Sequence, residues 1–242
     1  MDRTSGKMER AVLAVDNSSV LVYHRSQARE LLGLNSVKQA SLAEERSLAL
    51  HMYVHDLTEK LLPRKWKSRS SRIAQAILDT AKAKQMDPLF LMSVIRQESV
   101  FDPDVVGSHG EIGLMQIKPS TAQWLVDEGV VPRPGNKDMA IALRNPAFNV
   151  AVGSAYLAQL RTRFKRGALF INAYNMGVGN VNSLLRDGQR PRRYSDKILA
   201  HYSQYAEKFR SYSTGEGLES RRRFVAYLPM FDGKLGSRSL VQ

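Results

Sequence analysis

Two pairs, Asp87-Pro88 and Asn145-Pro146, constrain this chain more than any other feature, because each sets a capping side chain ahead of a proline. The cap accepts from amide hydrogens that a helix start leaves without partners. Proline at the first helical position gives up only a donor that had none. A helix is therefore expected from Pro88 toward Ser99, and a longer one from Pro146 with Val150, Leu157, Leu160 and Phe164 on its apolar side. Pro119-Ser120-Thr121-Ala122-Gln123-Trp124 begins another. Ser71 is placed to cap a helix through Ile73, Ile77 and Ala81 to Lys84, and Ala168 to Tyr174 reads as an apolar helix before a turn at Gly177 and Gly179 and a short helix closed by Asp187-Gly188. Val100 to Glu111 and Gly129 to Asp138 read as loops. Nothing in between alternates with period two, so the expected class is mainly α.

Upstream, Ser41-Leu42-Ala43-Glu44 has the pattern of a capping box, opening a helix that Pro63 stops after Leu62. The expected organisation is an N-terminal helical extension and basic linker over residues 1–70, one domain over 71–212, and a tail over 213–242. A chain of 242 residues with 43% hydrophobic content can bury a sizeable core. With no cysteine, disulfides, thiolate metal sites and thiol nucleophiles are excluded. No apolar stretch approaches the roughly 20 residues of a membrane helix. Ala11 to Val15 after Met1 to Arg10 is too short and polar for a signal peptide, so export would need another route or a leader outside this sequence.

The formal net charge of +13 favours an acidic partner: nucleic acid, anionic lipid or a carboxylate-bearing cell wall. Charge alone does not choose. The basic clusters at Arg64 to Arg69, Arg190 to Arg193 and Arg221 to Arg223 read as solvated connectors rather than one continuous stripe.

Chemistry enters at Glu98. On a 3.6-residue period it shares a face with Leu91, Val94 and Ile95, which puts a carboxylate on the stripe that would be buried. Loss of water and the negative end of the helix dipole should both raise its pKa, which suits a general acid. Taken alone, the segment reads at least as well as a glutamate at a helix end that reaches solvent.

The motifs around it shift that balance. Gln97-Glu98-Ser99-Val100-Phe101-Asp102-Pro103, Gly110-Glu111-Ile112-Gly113-Leu114-Met115-Gln116-Ile117-Lys118-Pro119, Asn149 to Leu157, Ala173-Tyr174-Asn175-Met176-Gly177-Val178-Gly179, and Tyr194 within Arg193-Tyr194-Ser195-Asp196-Lys197 stand in one order over residues 72–206. In that order they resemble the catalytic domain of soluble lytic transglycosylases, relatives of goose-type lysozyme that cleave peptidoglycan. The resemblance implies a lysozyme-like fold and makes Glu98 the acid and then the base. It implies that Ser99 shapes the helix end at the substrate site, that Met115 contacts a sugar face, and that Gln116 hydrogen-bonds in the cleft. Tyr174 and Asn175 would position the acid and the reacting sugar, and Tyr194 belongs to the same substrate-binding set. Met115 is equally readable as core filler, Gln116 as a polar residue at a helix start, Tyr174 as a packed aromatic and Asn175 as a turn residue.

Two positions depart from the family pattern. The serine often found nine residues after the glutamate is Gly107 here, with Ser108 displaced by one, and the glutamate often found four residues before the tyrosine is Arg190. The usual glycosidase has two carboxylates, yet no second one stands in a comparable motif, and Asp102 and Asp104 read as turn residues. The resemblance implies that the substrate's own 2-acetamido oxygen and C6 hydroxyl take over, giving a 1,6-anhydro product from the β-1,4 bond between N-acetylmuramic acid and N-acetylglucosamine. The rivals are a muramidase that admits water and an inactive lysozyme-like adaptor for wall or nucleic acid.

No cofactor is expected. His51 and His55 are spaced i, i+4 but lack the glutamate of a zinc-protease motif, and the acidic loop after Glu98 lacks the pattern of a calcium site. Expected partners are peptidoglycan glycan strands and cell-envelope machinery, with no specific nucleic acid. The expected location is the periplasm or cell envelope, and the expected state a monomer.

Overall fold

A computed structural model describes residues 44–213, apart from 136–137 and 166–167, with side chains from residue 49 onward. Helix α1 (Glu44–Leu61) is followed by a 3-10 turn (Arg64–Arg69), α2 (Ser70–Ala83), α3 (Pro88–Ser99), α4 (Pro119–Asp127), α5 (Met139–Ala142), α6 (Pro146–Arg163), α7 (Leu169–Met176), α8 (Val178–Arg186) and α9 (Arg193–Ser213). The described residues contain no named strand, only isolated bridges pairing Ile112 with Val106 and with Ile117. The class is mainly α, as the sequence indicated.

The proline-marked starts form as the side chains dictate. Asp87 accepts from the Leu89 amide at 2.8 Å, and Asn145 accepts from the amides of Ala147 and Phe148. Asp87 is fully buried, and its second oxygen accepts from the Tyr202 hydroxyl at 2.7 Å, which ties the start of α3 to α9. Leu89, Phe90, Leu91, Met92, Val94 and Ile95 are all within 1% of full burial. A helix apolar on every side is a central helix, so α3 is more than the one-faced amphipathic element its spacing suggests. Helices α2 and α9 pack against it, and α6 with α7 complete the core.

Two expectations for local structure change. Ser71 does not cap α2, which starts at Ser70 with Arg69 in the cap position, two residues before Ser71, and no side-chain cap. The basic segment Arg64 to Arg69 keeps its basic side chains exposed, as expected, but it is anchored to the domain rather than a free connector. Trp66 is 9% exposed, donates its indole N–H to Asp104 at 2.7 Å and lies under the Arg69 guanidinium, 5.0 Å from its ring centre. Lys65 pairs with the same carboxylate at 2.6 Å. The turn thus clamps the loop that follows α3, and Lys65 and Trp66 together hold the Asp104 carboxyl below its ordinary range. Helix α1 also joins the common core through Leu50, Tyr53 and Val54, with the Tyr53 ring 5.4 Å from that of Phe209. Ser41, the remaining tail and Arg221 to Arg223 lie outside the described residues.

Helix α3 ends abruptly. Val100 sits in the left-handed region at φ 54, ψ 32, and Phe101 follows at φ 65. This conformation costs an L-residue about 1–2 kcal/mol, and a β-branched one is a genuine outlier there. Val100 is 58% exposed while Phe101 is fully buried, so the strained pair turns the chain and inserts the phenyl ring into the core. Val100→Asn should therefore raise stability by on the order of 1 kcal/mol, since Asn tolerates this region better. Thermal unfolding checks it, and a lower midpoint than wild type contradicts the strain.

Candidate active site

The last turn of α3 delivers Glu98 to a place where three other segments meet. Its neighbour Ser99 is buried, donating its hydroxyl to Ile95 O at 3.1 Å and to Leu114 O at 2.8 Å. That hydroxyl joins the helix end to the loop carrying Gly113 to Ile117. The loop is fastened from the other side by Asn149 of α6, whose amide donates to Ile112 O at 2.7 Å and Leu143 O at 3.1 Å and accepts from Met115 N at 2.8 Å. Asn149 is completely buried, and all three bonds cross between elements. Close approach requires glycine at two points: a Cβ on Gly113 would meet the Asn149 amide at 2.5 Å, and one on Gly153 would meet the Met115 sulfur at 2.6 Å.

Glu98 is half-buried, and burial is the main reason its carboxyl is pushed up to about 7 from 4.5. The Tyr194 hydroxyl, from the first turn of α9, donates to Glu98 Oε1 and pulls the other way. The negative charge of Glu111 pushes upward again. Tyr174 of α7 feels Glu98 in turn: burial first, and then the Glu98 charge, hold its hydroxyl well above the usual range. That hydroxyl donates to Met115 O at 2.7 Å rather than to the acid. Tyr194 is raised for the same two reasons.

The residues singled out in the sequence therefore divide. Glu98, Tyr194 and Tyr174 converge. Gln116 reaches the same loop, donating its amide to Val105 O at 3.1 Å and Gly113 O at 2.9 Å from a backbone at φ 46. Asn175 is exposed at the end of α7, beside the Gly177 turn. Met115 is a correction: it is 0% exposed and its sulfur accepts from the Ser154 hydroxyl at 3.8 Å, so its side chain presents no face to a sugar. Ser99 is a second correction to the substrate-contacting set, because its hydroxyl is spent on two backbone carbonyls. Asp102 accepts from the Asp104 amide at 3.0 Å, the turn role its place in the loop suggested.

Sequence reasoning missed three features here. Asn149 was seen only within a motif, and nothing local marks it as the pin of a distant loop. Glu111 was passed over as part of a loop. Trp124 and Tyr156 form the third feature, with rings 6.4 Å apart and edge to face, and Tyr156 lies 5.5 Å from Tyr174. Both line a cavity of about 800 Å³ with Gln159, Arg163 and Val178. Glu98 is not in its wall, but the aromatic series runs from the cavity through Tyr174 to the loop beside the acid. Trp124 had a legible signal: Ala122, Leu125 and Val126 form the buried side of α4, and the 42%-exposed tryptophan lies off it. Among the described residues, no three His, Asp or Glu side chains group as metal ligands.

A carboxyl that keeps its proton near neutral pH, buried at the meeting point of a helix end, a pinned loop and two tyrosines, defines a site for acid–base chemistry. The family model for the transglycosylase SLT domain matches residues 75–196, and the chain belongs to that family. It is 28% identical over 203 residues to the soluble lytic murein transglycosylase of Escherichia coli (strain K12), covering 74% of this chain and 30% of that protein. To the membrane-bound lytic murein transglycosylase C of Actinobacillus pleuropneumoniae serotype 5b (strain L20) it is 26% identical over 191 residues, 74% of this chain and 46% of the relative. The chain thus spans less than half the length of these curated relatives. The 1.65 Å crystal structure of the 70-kDa soluble lytic transglycosylase from Escherichia coli superposes with a TM-score of 0.45 at 23% identity, over 78% of this chain and 31% of that one.

The raised carboxyl has a consequence for stability. In the unfolded chain Glu98 titrates near the ordinary glutamate value, whereas in the folded chain it titrates near 7. The folded state is thus favoured while the group is protonated and loses that advantage as pH rises toward and through 7, a gap on the order of 3 kcal/mol. Glu98→Gln mimics the protonated form at every pH. Its thermal midpoint should match wild type near pH 4 and exceed it at pH 8. An equal difference at both pH values contradicts the raised value.

Proposed function

We propose that this chain is a peptidoglycan lytic transglycosylase, cleaving the β-1,4 bond between N-acetylmuramic acid and N-acetylglucosamine and leaving a 1,6-anhydro-N-acetylmuramic acid end. The observation that carries this reading is the Glu98 carboxyl, protonated near neutral pH and facing the Tyr194 hydroxyl at the end of α3. The names of the relatives point to the same substrate.

Glu98 in its acid form donates to the glycosidic oxygen as that bond breaks. The 2-acetamido oxygen of the muramic residue attacks the anomeric carbon from its own ring. The Glu98 carboxylate then takes the C6 hydroxyl proton as the C6 oxygen closes on the anomeric carbon and displaces the acetamido oxygen, which returns to its amide. Tyr194, donating to Oε1, stabilises the anion between the two steps, and burial drives reprotonation. Both forms are then accessible near the working pH. The substrate-side groups are Gln116, Tyr174 and Asn175, with the Trp124–Tyr156 cavity offering aromatic faces to further sugars. Residues 44–213 act as the catalytic unit, with α1 part of it. The net charge of +13 favours capture of acidic wall material in the cell envelope rather than of a specific nucleic acid. No helix among the described residues is long and apolar enough to cross a membrane.

One observation favours the hydrolytic rival. Glu111 is a second carboxylate close enough for its charge to act on Glu98. It is already engaged, however, accepting from the His109 amide at 3.0 Å and lying 3.4 Å from the Lys118 ammonium, which holds its carboxyl low and makes it a poor base. The C6 hydroxyl has a large proximity advantage over water, with effective molarities that reach on the order of 10⁵ M. Muropeptides released by the purified chain, analysed by mass spectrometry without chemical reduction, should each be one water lighter than the hydrolysis product. Glu98→Gln should release none while staying folded. A majority of reducing muramic ends would make the chain a muramidase.

A further inference from the structure

The space beside Gly107 is where this chain departs from the family pattern, and the structure shows what fills it. A Cβ built on Gly107 would lie 2.5 Å from Glu111 Oε2, 2.8 Å from Gln116 Oε1 and 3.2 Å from the Glu111 Cβ. No positive φ calls for glycine here; a side chain at 107 would push the Glu111 carboxylate and the Gln116 amide out of the room they now occupy. The turn that folds Glu111 back is closed by Gly107 N–H to Glu111 O at 2.7 Å and Gly110 N–H to Gly107 O at 3.1 Å, with Gly110 at φ 81. Gln116 donates its amide nitrogen to two backbone carbonyls, which fixes its Oε1 toward the same space. Two acceptor oxygens, one of them charged, thus border one point of the cleft wall next to Glu98. Glu111 Oε2 already accepts from the His109 amide, and both oxygens keep a lone pair for a further donor.

We propose that Glu111 is a substrate-binding residue, its carboxylate and the Gln116 amide oxygen together accepting from an N–H or hydroxyl of the sugar held against Glu98. The inference rests on the glycan-cleaving reading above and adds the group that replaces the missing side chain at 107. Lys118 pairs with Oε1 and the His109 amide donates to Oε2, which together keep the carboxylate ionised, so it serves as a fixed acceptor rather than a proton carrier. The groups facing Glu98 are Tyr194 from α9, Tyr174 from α7 and Glu111 from the loop. Removing the Glu111 charge removes the only neighbouring charge among them that disfavours ionised Glu98.

The test uses the full chain and purified glycan strands in solution, with Glu111→Gln, Glu111→Ala and Lys118→Ala compared to wild type. Both Glu111 variants should raise KM about tenfold with kcat changed far less, the signature of a lost binding contact of charge-assisted strength. Both should also move the alkaline limb of the pH profile to lower pH, because Glu98 then gives up its proton more readily. Lys118→Ala loosens the carboxylate without removing it, and should raise KM less than either Glu111 variant. If both Glu111 variants keep the wild-type KM and alkaline limb, Glu111 only braces the turn and the proposal fails while glycan cleavage stands. A wild-type chain that leaves the strands intact overturns the glycan-cleaving reading and this inference with it.

Discussion

Keeping one carboxylate half out of water is the constraint around which the described part of this molecule is arranged. Glu98 ends the most completely buried helix of the fold, so its position is set by the core itself: Leu91, Val94 and Ile95 leave α3 no freedom to rotate the acid away. Asp87 fixes the other end by capping α3 and accepting from Tyr202. Helix α9 then contributes twice, holding the start of α3 through Tyr202 and meeting the acid at its end through Tyr194. Burial raises the carboxyl, and the tyrosine limits how far. The acid is thereby left near the middle of the range in which both protonation states are useful.

The opposite wall is made from a loop, and loops hold a geometry only when their backbone groups are bound. Asn149 satisfies one carbonyl and one amide of this segment, and the Leu143 carbonyl at the end of α5, from a buried position on α6, while Ser99 and Tyr174 take the carbonyls of Leu114 and Met115. Leaving any of these buried groups unpaired would cost about 1–3 kcal/mol. Met115 fills the space beneath, against Gly153. Ser99 and Tyr174, both named from sequence, thus help build the wall from inside.

What was legible in the sequence follows from which interactions are local. Helix starts at Asp87-Pro88 and Asn145-Pro146 depend on residues two or three apart and stand where the pattern puts them. The acid on the apolar stripe of α3 was legible for the same reason. Met115 was not, because whether a methionine in a loop faces a sugar or the core depends on Gly153, 38 positions away. The Arg64 to Arg69 turn shows the same limit: its basic side chains are exposed as their charge suggests, but its anchoring depends on Asp104, which receives Trp66 and Lys65 from 38 and more positions away. Gly107 stood out as a departure, but its reason lies in the side chain of Glu111, which periodicity cannot reach.

The most direct measurement is the titration of Glu98 itself. Carbon-13 NMR of selectively labelled glutamate, with the Glu98 resonance assigned by its loss in Glu98→Gln, follows that carboxyl across pH. A midpoint near 7 is the result this account requires. A midpoint at the ordinary glutamate value of about 4.3 would mean that the carboxyl is solvated and carries no proton to donate at neutral pH.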